Sequence, residues 1–191
     1  MNHSVQKGVF LGRLKKYNRE NVLETAMSIF WEKGFAHTSL CDLEKVTGVN
    51  KSGLYSEFAD KEDLFLHTLQ HFIDTDHSHQ FLYEEPLGWK NIEDHLKHGI
   101  RKKGKKGSYC VNTVRDLEQL PPKAKRLLNQ RGEKIKEILL KNIKNTNTKK
   151  DPTMLVNMIV TFYYGINLRT YTEDLKKLEV EVDDFLKFLK A

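Results

Sequence analysis

Cysteine is nearly missing from this chain. Its 191 residues include two, Cys41 and Cys110. Two thiols without CxxC spacing cannot build a disulfide framework or a cysteine-rich zinc site. Each reads as a small, partly buried residue, and a reducing cytoplasm is the expected compartment. Proline is scarce too, at four. Strict polar–apolar alternation with hairpin pairs such as Asn-Gly does not occur, so strands are not expected. The chain has no long uncharged apolar run, and its mean hydropathy is −0.59, which argues against a membrane span. Met1–Phe10 lacks a basic start followed by an apolar stretch, so no secretory signal is expected. Also missing are a glycine-rich phosphate loop, a nucleophile elbow and HExxH, so neither an enzyme nor a cofactor is expected. Acidic residues are absent from positions 1–19, where the charged residues are Lys7, Arg13, Lys15, Lys16 and Arg19.

What is present is ordinary for a folded protein: 39% hydrophobic and 30% charged residues. The net charge of +6 and a pI of about 9.1 suit a nucleic-acid binder without proving one. Besides the N-terminal arm, Arg101–Lys106 (RKKGKK) and residues 123–150 are basic. RKKGKK has no aromatic residue and reads as a solvated loop between helices rather than a second nucleic-acid site.

Helical periodicity dominates. Val22, Leu23, Ala26, Ile29 and Phe30 define a helix from about Asn18 to Lys33, stopped by Gly34. Ser39, with Asp42 three residues on, suits a reciprocal N-terminal cap for a second helix, which Gly48 ends. Asn50 caps a third, roughly Lys51 to Phe58. Asp60 caps a fourth, expected to run to about Gln80. Further helices are expected at about 91–103, 108–120, 121–145, 152–170 and 173–190. The fold class is therefore all-α.

The stretch GVNKSGLYSEF (48–58) is the most informative. Two short helices joined by Gly48-Val49-Asn50 form a helix-turn-helix, whose second helix can enter a major groove. Lys51, Ser52 and Gly53 are then an exposed first turn with backbone N–H groups suited to phosphate oxygens, while Leu54 and Phe58 hold the scaffold. The run Arg19, Val22-Leu23, Ala26, Phe30, Gly34-Phe35, Thr38-Ser39-Leu40, Asp42-Leu43, Val46, Gly48-Val49, Lys51, Leu54-Tyr55, Phe58, Lys61-Glu62 and Leu64 resembles, at matching spacing, the TetR family of bacterial transcriptional regulators.

The resemblance implies an N-terminal three-helix DNA-binding domain (1–62) and a larger C-terminal helical domain for ligand sensing and dimerisation (63–191). It implies a homodimeric regulator, a repressor released from double-stranded operator DNA by a small-molecule effector, with no membrane partner. Thr38, Ser39, Lys51, Ser52, Gly53, Tyr55 and Lys61 stand at or beside family positions that meet DNA, and Arg13, Lys15 and Lys16 of the arm add contacts. Two positions depart from the family pattern. Glu44 stands where alanine is usual, and Gly53 where a hydroxyl is usual, with Ser52 beside it.

Three groups of residues keep alternatives open. His67 and His71, one turn apart, either share a metal ion in a metal-responsive sensor or lie on a solvated face. Met158, Phe162 and Tyr163 either line a ligand pocket or belong to the core or an intersubunit face. The last two helices are expected to form the intersubunit packing through Leu155, Ile159, Leu175, Leu178, Phe185 and Leu189.

Overall fold

The computed structural model describes residues 17–103 and 107–191. Arg13, Lys15 and Lys16, and residues 104–106 of the RKKGKK run, lie outside the described residues. Among those described there is no strand, and no helix is long and apolar enough to cross a membrane. The helices are α1 (Arg19–Lys33), α2 (Leu40–Thr47), α3 (Lys51–Glu57), α4 (Lys61–Thr75), α5 (Trp89–Lys103), α6 (Tyr109–Thr113), α7 (Pro122–Lys144), α8 (Pro152–Arg169) and α9 (Leu175–Lys190).

The helix ends follow local chemistry. Asn18 accepts the Glu20 N–H at 2.8 Å and opens α1. Ser39 and Asp42 exchange bonds, the Ser39 N–H to Asp42 at 2.9 Å and the Asp42 N–H to Ser39 at 3.1 Å. Lys33 pairs with the same carboxylate, and these bonds hold it well below the usual carboxylate range. Gly48 closes α2 at φ 67°, a left-handed conformation that favours glycine.

Two expected helices are shorter. α4 stops at Thr75 rather than near Gln80, because Asp76 intervenes. Its carboxylate accepts the N–H of Ser78 at 3.2 Å and its hydroxyl at 3.0 Å, a local alternative to the helix. A 3-10 segment, His77–Tyr83, follows. The helix expected over 108–120 is α6 followed by a 3-10 segment, Val114–Gln119, which breaks at Asp116 (φ −98°, ψ 19°).

Two apolar cores form. In the first, Val22, Leu23, Ala26 and Phe30 of α1 meet Leu43, Leu54 and Phe58, and Leu64, Phe65, Leu69 and Phe72 of α4. The expected division at residue 62 therefore falls inside α4, whose apolar face continues this core to Phe72. In the second, Ile92, Leu96 and Ile100 of α5 meet the inner faces of α7, α8 and α9. Asn142, fully buried, fastens that bundle. Its amide donates to the carbonyls of Leu82 (2.8 Å) and Ile138 (2.9 Å) and accepts the Gly88 N–H at 2.9 Å.

The inner faces correct the expected intersubunit set. Leu155, Ile159, Leu178 and Leu189 are at most 1% exposed within one subunit. The most apolar stripe of each helix was needed for the subunit's own core. Leu175 and Phe185 remain partly exposed, as do Met158 and Phe162, with Met154 more open beside them.

The first core is closed by Tyr109 of α6. Its ring is fully buried, 5.3 Å from Trp31, 5.6 Å from Phe72 and 6.4 Å from Phe65. Its hydroxyl lies 3.0 Å from that of Thr68, and burial pushes its pKa above the tyrosine range. Tyr109→Ala is expected to cost about 3–5 kcal/mol, as large aromatic deletions do. Tyr109→Phe should cost about 1 kcal/mol, the net value of one hydrogen bond. Urea unfolding of the two variants checks both.

Candidate nucleic-acid interface

The candidate reading helix, α3, is seven residues long, about two turns, and well fastened. Leu54 and Phe58 are 1% and 2% exposed and anchor it to the first core. The opposite side presents Lys51, Ser52, Tyr55 and Ser56, all exposed. The Lys51 ammonium lies 5.7 Å from the centre of the Tyr55 ring, a cation–π pair on the outward face.

Gly53 has a packing role inside the domain. A Cβ added there would stand 2.6 Å from Cγ1 of the buried Val49 and 3.2 Å from Asn50 Oδ1. Val49 is branched at Cβ and 6% exposed, so it has little room to yield. The Gly53 carbonyl accepts the Tyr17 hydroxyl at 2.9 Å and the Ser56 hydroxyl at 2.7 Å. Tyr17 and Ser56 were not singled out in the sequence. A tyrosine directly after the basic arm was the available signal for the first, and the one-turn spacing of Ser52 and Ser56 for the second.

The first-turn amides are not open as expected. The Asn50 side chain takes the Gly53 N–H at 2.9 Å. The Glu44 carboxylate takes the Lys51 N–H at 2.5 Å. The departure at position 44 thus acquires a purpose: a half-buried acid of α2 caps α3 and favours its positive end.

Three other expected contacts are drawn inward. Thr38 is 1% exposed, and its hydroxyl donates to the Gly34 carbonyl at 2.7 Å. It is a scaffold residue. Ser39 is exposed, but its hydroxyl donates to Asp42 at 2.6 Å. Lys61 donates to the carbonyls of Phe35 and Thr38, both at 2.9 Å, and lies 4.5 Å over the Phe35 ring. Partial burial pulls its pKa below the usual lysine value. Lys61 therefore locks the turn between α1 and α2, with one N–H left over.

His67 and His71 keep different company. His67 meets Arg19 at 3.3 Å and Asp63 at 3.8 Å and leans on Phe58, whereas His71 faces Glu20 and Glu24 of α1.

A cavity of about 160 Å³ lies in the second half of the chain, walled by His95, Cys110, Val111, Leu128, Arg131 and Tyr163 among others. Tyr163 stacks on His95 at 5.1 Å and 15°, and burial raises its pKa above the tyrosine range. Met158 and Phe162 do not reach this cavity. They line an outer groove between α8 and α9, where Phe162 stacks on Phe185 at 3.9 Å. Arg131 leads from the cavity wall to Asp76 at the end of α4, with a 2.7 Å ion pair whose side chains are 13% and 1% exposed.

Comparison with known proteins follows the same lines. The family described as bacterial regulatory proteins, tetR family, matches residues 22–68. The transcriptional repressor ComR of Escherichia coli (strain K12) is 40% identical over 88 residues, 44% of this chain and 40% of ComR. The chain thus spans about two fifths of that relative's length. Among solved structures, a cysteine mutant of the TetR family regulator CifR with 26-bp double-strand operator DNA superposes with a TM-score of 0.79 at 20% identity, covering 92% of this chain and 98% of CifR. AibR, solved with isovaleryl coenzyme A and operator DNA, gives a TM-score of 0.70 at 16% identity, covering 90% of this chain and 98% of AibR. At these identities the likeness is one of fold.

Gly53→Ala tests the packing role. Alanine is the better helix former by about 1 kcal/mol. The variant is nevertheless expected to lose about 1–3 kcal/mol, because the added methyl collides with Val49. A gain in stability on urea unfolding would show the position to be open.

Proposed function

We propose that this chain, whose residues 22–68 match the tetR family of bacterial regulatory proteins, is a dimeric, cytoplasmic DNA-binding regulator, a repressor released by a small-molecule effector. The observation that carries this reading is the outward face of α3. Lys51, Ser52, Tyr55 and Ser56 are exposed together on a helix whose other side is fixed in a core. That arrangement suits a reading helix held against a duplex, with Lys51 near phosphate and Tyr55 toward the groove. In the sequence the arm residues Arg13, Lys15 and Lys16 directly precede Tyr17, which is bonded to α3 itself. Gly53 acts by allowing α3 to seat.

The functional division lies at Asp76, where α4 ends, rather than at residue 62. Beyond it the cavity provides a place for an effector, with an apolar wall and a few polar groups. Arg131 belongs to that wall and grips Asp76, so a ligand that displaces Arg131 reaches the end of α4 directly. Such a ligand changes DNA affinity only if it binds the two states of the protein unequally. In this proposal the second copy packs on the outer α8–α9 groove, a reading supported by the apolar side chains of Met154, Met158, Phe162 and Phe185 gathered there.

A fluorescence-anisotropy titration against DNA from upstream of the protein's own gene tests the reading. Sequence-selective binding that weakens steeply with salt is expected. Lys51→Ala and Tyr55→Ala should each lower affinity about tenfold, near 1.4 kcal/mol, with unfolding midpoints unchanged. Full affinity in both variants would remove α3 as the reading helix.

The Asp76–Arg131 link has its own test. Arg131→Met strips a buried carboxylate of its guanidinium and should cost about 3–5 kcal/mol. The double variant Asp76→Asn, Arg131→Met should recover much of that loss. Additive effects in a double-mutant cycle would show the two residues to be energetically independent.

A further inference from the structure

α1 and α4 lie side by side, held by the first core. At the solvent edge of their seam three ligand-bearing side chains converge from the two helices. Glu20 and Glu24 stand one turn apart on α1, and His71 reaches them from α4. One donor atom of each lies within 4.8 Å of the other two. The carboxylates are exposed and the imidazole is half-buried.

We propose that Glu20, Glu24 and His71 bind a zinc-class divalent cation that fastens α1 to α4. Two carboxylate oxygens and one imidazole nitrogen make a three-ligand set with room for water, and the mixture of nitrogen and oxygen without thiolate suits Zn²⁺. An all-oxygen cation such as Mg²⁺ or Ca²⁺ would want more carboxylate or carbonyl ligands than this edge supplies. The backbone positions are set beforehand. Val22, Leu23 and Ala26 lie beside the glutamates, and Thr68, Leu69 and Phe72 beside the histidine, all at most 5% exposed. Binding then has to order only three side chains.

The charges point the same way. Like charges one turn apart on a helix repel, and Glu20 and Glu24 are such a pair. Arg19, the adjacent cation, is directed elsewhere, to Glu57 at 3.2 Å and His67 at 3.3 Å. His67 therefore stands outside the set, although it is one turn from His71. The rival reading is a solvated cluster in which a protonated His71 serves as counter-ion. It predicts no metal uptake.

The test uses the full-length, metal-stripped protein and zinc alone, followed by calorimetric titration and thermal unfolding. It does not involve DNA, so its outcome is separate from that of the regulator reading. One ion per chain at micromolar free zinc is expected, with a raised midpoint of unfolding. His71→Ala and Glu24→Gln should each weaken uptake at least tenfold and abolish the shift, while His67→Ala leaves both unchanged. These side chains lie at the surface, so the variants should fold, and their metal-free midpoints confirm it. Absence of uptake at micromolar zinc, or equal uptake by wild type and His71→Ala, overturns the proposal.

Discussion

The insertion of Tyr109 between α1 and α4 is the interaction on which the rest depends. The N-terminal helices have a core of their own, but its far end is closed by a side chain from the second half of the chain. Trp31, Phe65 and Phe72 surround that ring, and Thr68 meets its hydroxyl. α4 is consequently shared: its inner face belongs to the first core, and its end at Asp76 is paired with Arg131 of the cavity wall. A rearrangement of α6 or α7 cannot leave α4 where it was, because close-packed side chains transmit displacement rather than absorb it.

Helix α3 shows the same economy at smaller scale. Its seven residues are too few to be stable alone, so neighbours supply the stability. Leu54 and Phe58 anchor one side. Asn50 and Glu44 close the first turn, and Tyr17 and Ser56 bond to the Gly53 carbonyl. Because its interior contacts are so complete, the side chains left outward have little choice of position. That is the preorganisation a recognition surface needs.

Much of this was legible in the sequence because short-range chemistry decided it. The caps at Ser39, Asn50 and Asp60, and the stop at Gly48, follow from residues within one turn. What was not legible depended on which of two partners a side chain would choose. The family resemblance put Lys61 and Thr38 among the DNA contacts, yet carbonyls at the turn between α1 and α2 claim them. Leu155, Ile159, Leu178 and Leu189 form the best apolar stripes of the last two helices. Periodicity cannot say whether a stripe meets its own subunit or another. Gly53 was expected to face DNA in the first turn; its close fit, with Val49 2.6 Å from the missing Cβ, depends on how the turn before α3 folds.

The cavity wall divides into two kinds of residue with different freedom to change over generations. Arg131, His95 and Tyr163 are each committed to structure: an ion pair with Asp76, a bond to the Ser78 carbonyl at 2.8 Å, and a stacked ring pair. Val111, Leu128 and Leu139 contribute shape alone, and cores tolerate exchanges among apolar residues of similar volume. A lineage carrying this scaffold can therefore change the cavity's shape along the apolar wall while the polar wall stays still. The form of the space is free to evolve faster than its tie to α4 through Arg131.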